Sequence, residues 1–163
     1  MVSDLHIRAL SAAERPVLLA MYGSFEPLGV AQGLPPRSEE ARETWIDHAL
    51  QEEINVGAFS AAGAPAGHAF LAAAEPGVAE LAVFVHQSFR GRGIGTALVR
   101  AVLAAAEKQG LHRVWAQTSS DNVPALRMLK RCGFRSLKFT FPVVEMDIEL
   151  PAPVLDRIEK LRN

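Results

Sequence analysis

Two periodicities of hydrophobic and polar residues lie next to each other in the second half of the chain. Residues Val78–Val85 are apolar except for Glu80, which is typical of a central strand buried on both faces. From Ile94 onward, apolar residues recur at three- and four-residue spacing, which predicts a helix that runs to about Gln109 and ends at Gly110. The pattern therefore predicts a buried strand that leads, through a glycine-rich turn, into an amphipathic helix.

The first half predicts a strand, two helices and a hairpin. Leu5–Leu10 is a strand candidate, and Ser11 followed by Glu14 has the pattern of a capping box that opens a helix over 12–25. After a loop rich in Gly and Pro, Ser38 is expected to cap a second helix. This second helix is predicted over 39–53. Two strands, joined by the turn signal AGAP, are predicted over 54–61 and 67–74.

The last third completes a mixed α/β order. A strand is predicted over 112–118, and Asn122 is expected to cap a short helix that Gly133 ends. One or two closing strands are predicted within 139–150, and a short helix or tail over 152–163. No repeat or linker composition interrupts this order, so we expect one domain over residues 1–163. A strand–helix–strand unit with parallel strands requires a right-handed crossover.

Composition and charge argue against several classes of protein. The chain has 163 residues, of which 49% are hydrophobic and 21% charged, as in a globular domain with its own core. The formal net charge of -1 gives no reason to expect nucleic acid or an anionic membrane as a partner. Cys132 is the only cysteine, and we find neither a signal peptide nor a membrane-spanning run, so we expect a cytoplasmic protein. One cysteine and scattered histidines also predict no metal site.

Three glycines at the start of the predicted helix suggest a site for an anion. A helix whose first residues lack side chains exposes free N–H groups and the positive end of its dipole, so a phosphate or pyrophosphate can approach. The spacing fits neither the G-x-G-x-x-G fingerprint nor the G-x-x-x-x-G-K-[ST] loop. A tight turn that binds nothing is the alternative. The residues concerned are Gly91, Gly93 and Gly95, with Arg90 and Arg92 as sources of positive charge.

A third pattern fits better. Arg90, Gly93 and Gly95 match [R/Q]-x-x-G-x-[G/A], placed after an apolar strand and opening a helix. The later stretch DNVPALRMLKRCGF has an asparagine, an alanine and a Gly-Phe pair in the matching places: Asn122, Ala125, Gly133 and Phe134. Together these two elements, over about 79–134, resemble the GNAT superfamily of N-acetyltransferases.

The resemblance implies a GNAT fold, in which a central mixed sheet splays between two parallel strands and helices flank both faces. The first of these strands often carries a bulge, and acetyl-CoA lies in the resulting V. The pantetheine arm then pairs with strand backbone, the pyrophosphate lies on the glycine-loop amides, and Asn122 either contacts the pantetheine or is a plain helix cap. The implied acetyl-CoA-binding residues are Phe84, Val85, Arg90, Gly91, Arg92, Gly93, Ile94, Gly95, Thr96 and Asn122.

The implied reaction is direct transfer of an acetyl group from acetyl-CoA to a primary amine. An alkylammonium group has a pKa of ~10, so a base must first remove a proton. A backbone N–H freed by the strand bulge would stabilise the developing oxyanion. Glu80 is the candidate base, since it is the one acid in an apolar strand; a strand-end charge facing solvent is the alternative. The phrase AELAVFV also resembles the GNAT domains of bacterial protein lysine acetyltransferases, in which a glutamate at this place acts as base.

One position departs from the family pattern. Many members have a tyrosine on the later helix that protonates the departing thiolate, and here that position is Leu129. A catalytically weak GNAT domain that senses acyl-CoA is therefore the alternative function. The acceptor stays open between a protein lysine or N-terminus and a small amine. By family analogy Phe25, Glu26 and Gln32 flank the acceptor pocket, and the C-terminal apolar segment 140–150 could pair at an edge in a homodimer.

Overall fold

The computed structural model describes residues 4–29 and 33–152. Within them, the strands are β1 (His6–Ala9), β2 (Ile54–Phe59), β3 (Pro65–Glu75), β4 (Val78–Val85), β5 (Arg113–Ser119), β6 (Arg135–Thr140) and β7 (Val143–Glu149). The helices are α1 (Arg15–Gly23), α2 (Glu39–Ala49), α3 (Ile94–Lys108) and α4 (Val123–Arg131), with 3₁₀ turns at Ala12–Glu14 and Gln87–Phe89. The predicted strand at 78–85 is confirmed residue for residue, and Gly110 follows the end of α3 with a positive φ of 79°.

All seven strands form one mixed sheet in the order β1-β2-β3-β4-β5-β7-β6. Every neighbouring pair is antiparallel except β4 and β5, which are parallel and are joined through α3. A parallel pair at the centre of a sheet needs apolar cover on both faces, and β4 is correspondingly apolar. The predicted α/β class with a mixed sheet is thus confirmed.

Helices cover the two faces of the sheet with separate apolar clusters. On one face, α3 and α4 contribute Leu98, Val102 and Leu129 to a cluster with the odd-numbered residues of β4. On the other face, α1 and α2 pack the aromatic ring of Tyr22 and its neighbours against Phe84. The side chains of β4 alternate between these clusters, as strand geometry requires.

The parallel strands β4 and β5 pair over only three positions before they part. The register runs Val78↔Arg113, Ala79↔Val114 and Glu80↔Trp115, and no pair follows it. The splay implied by the resemblance is therefore present, and Glu80 lies at its apex. The bulge expected in β4 is wrong, because β4 keeps an uninterrupted register with β3 from Val85 to Ala79. The extra residue is Ala74 in β3, beside the tight turn that leads into β4.

Three predicted details in the first half also differ. The helix expected over 12–25 begins as a 3₁₀ turn and ends at Gly23. The capping box is wrong because the Glu14 carboxylate binds the Arg8 guanidinium on β1 instead of turning back to Ser11. Helix α2 ends at Ala49, and the Asn55 amide donates to Ala49 O and to Glu52 O in the turn that follows. The predicted tail from residue 153 lies outside the described residues.

A chain of buried hydrogen bonds joins α1, α2, β2 and β3. His68 Nε2 lies 2.7 Å from Asn55 Oδ1, and His68 Nδ1 lies 2.8 Å from Tyr22 Oη. Because the Asn55 amide nitrogen already donates to Ala49 O, its oxygen must accept, so His68 carries its proton on Nε2. Tyr22 therefore donates to Nδ1, and every polar group of this chain is satisfied while His68 stays neutral.

The neutral state of His68 makes stability depend on pH. Burial lowers the pKa of His68 from 6.5 to about 3 in the folded protein. The unfolded chain therefore binds one more proton between these values, and the free energy of unfolding should fall as pH drops from about 6.5 towards 3, by up to ~1.4 kcal/mol per pH unit. Denaturant unfolding at several pH values checks this. His68→Gln, which keeps an amide donor, should flatten the slope over that range; an unchanged slope would contradict the assignment.

Candidate active site

A cavity of about 420 Å³ opens where β4 and β5 part. It runs through the plane of the sheet, so that α4 lines it on one face and the connection between α1 and α2 lines it on the other. Most of the lining residues are apolar, including Trp115 and Phe84 on the side of α1 and α2, but polar atoms make up the larger part of the exposed wall. The remaining lining residues are Gly33, Glu80, Leu81, Ala82, Val83, Ala116, Gln117, Thr118, Asn122, Ala125, Met128 and Leu129.

Glu80 is the one ionisable side chain among the residues that line this cavity. It is half-buried and lies on the same sheet face as Ala82 and Phe84, towards α1 and α2. Burial raises the pKa of Glu80, and the negative charge of Glu145, across β5 on β7, raises it further. A carboxylate with a raised pKa is suited to accept a proton near neutral pH. The predicted base therefore lies at the point where the cleft begins.

The backbone of β4 presents unpaired groups to the cleft at alternate residues. His86 donates its N–H to Ala66 O of β3, and the Val85 carbonyl instead accepts from Arg90. Because strand backbone groups alternate in direction, Val83 and Val85 face the cleft beyond the last pair with β5, whereas Phe84 bonds to β3. The expected backbone pairing with a ligand thus stays with Val85 and moves from Phe84 to Val83.

The amino end of α3 has free donors. Its N-cap is Gly93, in the left-handed region with φ of 78°, and no side chain caps the helix. By contrast, the side chains of Ser38 and Asn122 cap α2 and α4. The first intrahelical bond runs from Ala97 N–H to Gly93 O, so the amides of residues 94–96 point outward without an acceptor among the described hydrogen bonds. This is the geometry of an anion site.

Glycine is required at Gly91 and at Gly95 for different structural reasons. Gly91 has a φ of 76° and open space where a side chain would begin, as a loop that receives a ligand requires. Gly95 is different, because a Cβ there would lie 2.6 Å from the Met128 sulfur and 3.5 Å from Val85. Gly95 therefore allows α3 to approach α4 and β4 closely. Its role in packing accounts for it without any ligand.

The two arginines of the loop also differ. Arg90 donates from Nε to Val85 O at 2.9 Å and from Nη2 to Glu26 O, and its guanidinium lies over the Phe25 ring. Its role in pyrophosphate binding stays a prediction. Arg92 contacts only the face of Phe89, at 5.6 Å, among the contacts described for its side chain.

Asn122 lies on the far wall of the cleft. Its Oδ1 accepts from Ala125 N at 3.3 Å and so caps α4, while the residue also lines the cavity. Its contact with pantetheine, which the amide nitrogen could make as a donor, stays a prediction. Leu129, seven residues on, is 3% exposed and lines the same cavity, so the wall carries no hydroxyl where many relatives have tyrosine.

Neither of the two predicted acceptor residues that the structure describes, Phe25 and Glu26, lines the cavity. Phe25 is 4% exposed and packs in the aromatic cluster behind Phe84, and Glu26 contacts the β4–α3 turn through its backbone. Gln32 lies outside the described residues. Sequence reasoning missed Gly33, Trp115 and Gln117, which line the acceptor side. The alternation of β5 would have indicated the last two, because they share the face of Glu80.

These features match a known family. The sequence model of the Acetyltransferase (GNAT) family matches residues 18–134, which is more than half of the chain. The chain belongs to the GNAT family of acetyltransferases. The recognition made from the glycine loop and the Asn122 helix is confirmed, and so is the GNAT fold.

Similar proteins support the same assignment. L-methionine sulfoximine/L-methionine sulfone acetyltransferases from Pseudomonas paraeruginosa and Pseudomonas aeruginosa are each 31% identical over 137 residues, covering 78% of this chain and 78% of theirs. The phosphinothricin acetyltransferase of Sinorhizobium meliloti, solved with acetyl-CoA, has a TM-score of 0.75 at 19% identity and covers 93% of this chain and 91% of its own. The ribosomal-protein-S18-alanine N-acetyltransferase of Escherichia coli has a TM-score of 0.70 at 18% identity, covering 89% and 93%.

The protein is an acetyl-CoA-dependent N-acetyltransferase that transfers the acetyl group to a primary amine. No comparison favours the alternative of an acyl-CoA sensor. Its cleft fits acetyl-CoA, since an uncapped helix end, an open glycine loop and an unpaired strand edge follow one another along one path. Within residues 4–29 and 33–152, no helix is long and apolar enough to cross a membrane, and no group of three or more His, Cys, Asp or Glu side chains could hold a metal ion.

A charge at Gly93 tests the anion site. Gly93→Glu is expected to weaken CoA binding by roughly 100-fold, because a carboxylate would meet the pyrophosphate at the free amides of α3. Gly93→Gln is the matched control, since it has the size of Glu and the same left-handed strain without the charge. Calorimetric titration with CoA and a thermal melt of each variant separate binding from folding. Equal CoA affinity in the two variants would contradict the assigned site.

Proposed function

We propose that Glu80 is the general base of the acetyl transfer. Its position supports this: it lies at the apex of the cleft, on the face of the acceptor side, and is the one ionisable group among the cavity residues. An alkylammonium acceptor has a pKa of ~10, so nearly all of it is protonated at neutral pH. A half-buried carboxylate with a raised pKa accepts that proton, directly or through water, more readily than an ordinary glutamate.

We also propose roles for the groups that hold the donor. Acetyl-CoA supplies an acetyl group that is activated as a thioester. The N–H of Val83 donates to the carbonyl oxygen on which negative charge develops, and Val85 pairs with the pantetheine arm. The amides of residues 94–96 hold the pyrophosphate, and Asn122 Nδ2 donates from the opposite wall. The alternation of β4 and the free end of α3 support these assignments.

For the acceptor, we propose the α-amino group of a small amino acid or a close analogue. The support is the likeness to the methionine sulfoximine/methionine sulfone acetyltransferases, which spans 78% of the chain. The shape of the cavity also agrees with a small acceptor. Gly33, in the α1–α2 connection, lies so close to β5 that a Cβ on it would be 3.9 Å from the Gln117 carbonyl oxygen, and this approach narrows the acceptor side of the cavity. A protein lysine, which the AELAVFV phrase suggested, is the second candidate.

We also propose a domain organisation, a cellular location and an oligomeric state. One acetyltransferase domain over residues 1–163 is supported by the single sheet of the described residues. A cytoplasmic location is supported by the presence of only one cysteine. The segment 140–150, which was expected to pair at an edge, instead forms β7, and both sides of β7 are paired, with β5 and β6. A homodimer is therefore proposed through the edge strand β6, near whose end Phe139 and Phe141 are 62% and 80% exposed.

Replacement of the base should remove most of the rate. Glu80→Gln is expected to lower kcat by roughly 10²–10⁴-fold at pH 7 while leaving the affinity for CoA unchanged. Part of the rate should return as the pH approaches the pKa of the amine, which then loses its proton without help. Thiol release measured against pH checks this, and full activity on both sides of pH 9 would contradict the role of Glu80.

The charge of Glu145 provides a finer control. Because that charge raises the pKa of Glu80, Glu145→Gln should lower it and move the acid limb of the kcat/KM profile to lower pH. The rate on the plateau should change little, since Glu145 is not a cavity residue. A limb that stays in place would mean that another group titrates.

A panel of amines decides the acceptor. Methionine sulfone, methionine sulfoximine and phosphinothricin should give kcat/KM at least roughly tenfold above lysine peptides, polyamines and aminoglycosides, because only small α-amines fit the narrowed cavity. Thiol release with each amine measures this. A lysine peptide as the best acceptor would replace the proposed class by the second candidate.

A further inference from the structure

The turn after β4 holds the end of α1 by a set of hydrogen bonds. Glu26 N donates to Gln87 Oε1 at 3.0 Å, and Gln87 Nε2 donates to Ser24 O. Ser24 Oγ lies 3.0 Å from His86 Nε2, while Ser88 N donates to the other ring nitrogen of His86. The nearby Arg90 completes the set by donating to Glu26 O. Three side chains of the turn therefore bind one short segment, 24–26.

Arg90 contacts both β4 and the segment 24–26. Its Nε binds Val85 O on β4, its Nη2 binds Glu26 O, and its guanidinium carbon lies 5.4 Å from the centre of the Phe25 ring. A guanidinium fixed by two carbonyl oxygens and an aromatic face has little freedom to turn towards another ligand. The family motif suggested a ligand of the pyrophosphate, but these contacts describe a strut between two loops.

The held segment leads to the acceptor side of the cavity. Residues 24–26 begin the connection between α1 and α2, and the same connection lines the cavity at Gly33. Phe25 also packs edge-on against Phe84, with 6.0 Å between ring centres, and Phe84 lines the cavity. A shift of the segment therefore moves the Phe25 ring, which supports the cavity wall at Phe84.

We propose that Arg90 and Gln87 are positioning residues that couple the glycine loop to the acceptor side of the cavity. CoA held on the amides of residues 94–96 steadies the turn that contains Arg90, and the turn steadies segment 24–29 through the bonds above. Coupling of this kind changes the affinity for the acceptor without any contact between these side chains and the amine. The inference rests on the proposed placement of the pyrophosphate.

Hydrogen exchange with CoA as the probe tests the coupling without a known acceptor. In the wild type, saturating CoA should slow exchange of the amides in 24–29 by about fivefold or more. Arg90→Met and Gln87→Met should lose that protection at CoA concentrations that saturate each variant. Arg92→Met is the matched control, because it removes the same charge from the same loop without touching segment 24–29. It should keep the protection even where its CoA affinity falls.

The outcomes separate this proposal from the proposed function. A wild type that binds CoA but shows no protection of 24–29, or an Arg90→Met variant that behaves like Arg92→Met, overturns the coupling and leaves the acetyl-CoA site intact. Absence of CoA binding in the wild type overturns both. With the best amine of the panel, Arg90→Met and Gln87→Met should also raise KM for the amine about fivefold, and Arg92→Met should not. A rise in KM for acetyl-CoA alone would return Arg90 to the pyrophosphate.

Discussion

The parting of β4 from β5 after Glu80 and Trp115 is the constraint on which the site depends. Strand backbone normally pairs along its whole length, since each buried N–H or C=O without a partner costs about 1–3 kcal/mol. The free amides at the start of α3 add further donors at the same end of the sheet. The fold therefore leaves backbone groups open along the cleft, and the proposed site of acetyl-CoA uses them.

The sheet also keeps donor and acceptor apart until the reacting atoms meet. The cluster of α3 and α4 lies on the face where the odd residues of β4 point, and the aromatic cluster of α1 and α2 lies on the other. Because side chains alternate along a strand, Glu80 faces the acceptor side while the amide of Val83, in the plane of the sheet, faces the cleft. One strand thus carries the proposed base on one side and the proposed hydrogen-bond donor at the gap between the strands.

Local signals in the sequence predicted most of this framework. The apolar run of β4, the end of α3 at Gly110 and the Asn122 cap all depend on residues close in sequence, and all are confirmed. Interactions between distant residues are what these local signals could not show. Arg8 on β1 takes Glu14 out of its capping box, and Glu26, 64 residues away, takes up the Arg90 guanidinium. Periodicity carries no information about such partners, and it likewise could not separate the packing role of Gly95 from the open space at Gly91.

The fate of the chain's only tyrosine helps explain how the site works without the usual acid. Tyr22 is fully buried and donates to His68, and burial raises its pKa, so it is not available to the departing thiolate. Leu129 leaves the cavity wall without a hydroxyl at the family's position. An ammonium group has no free electron pair and cannot attack the thioester, whereas a thiolate can depart without a proton. In the proposed reaction, deprotonation of the acceptor is therefore the step that requires a side chain, and Glu80 is the base proposed for it.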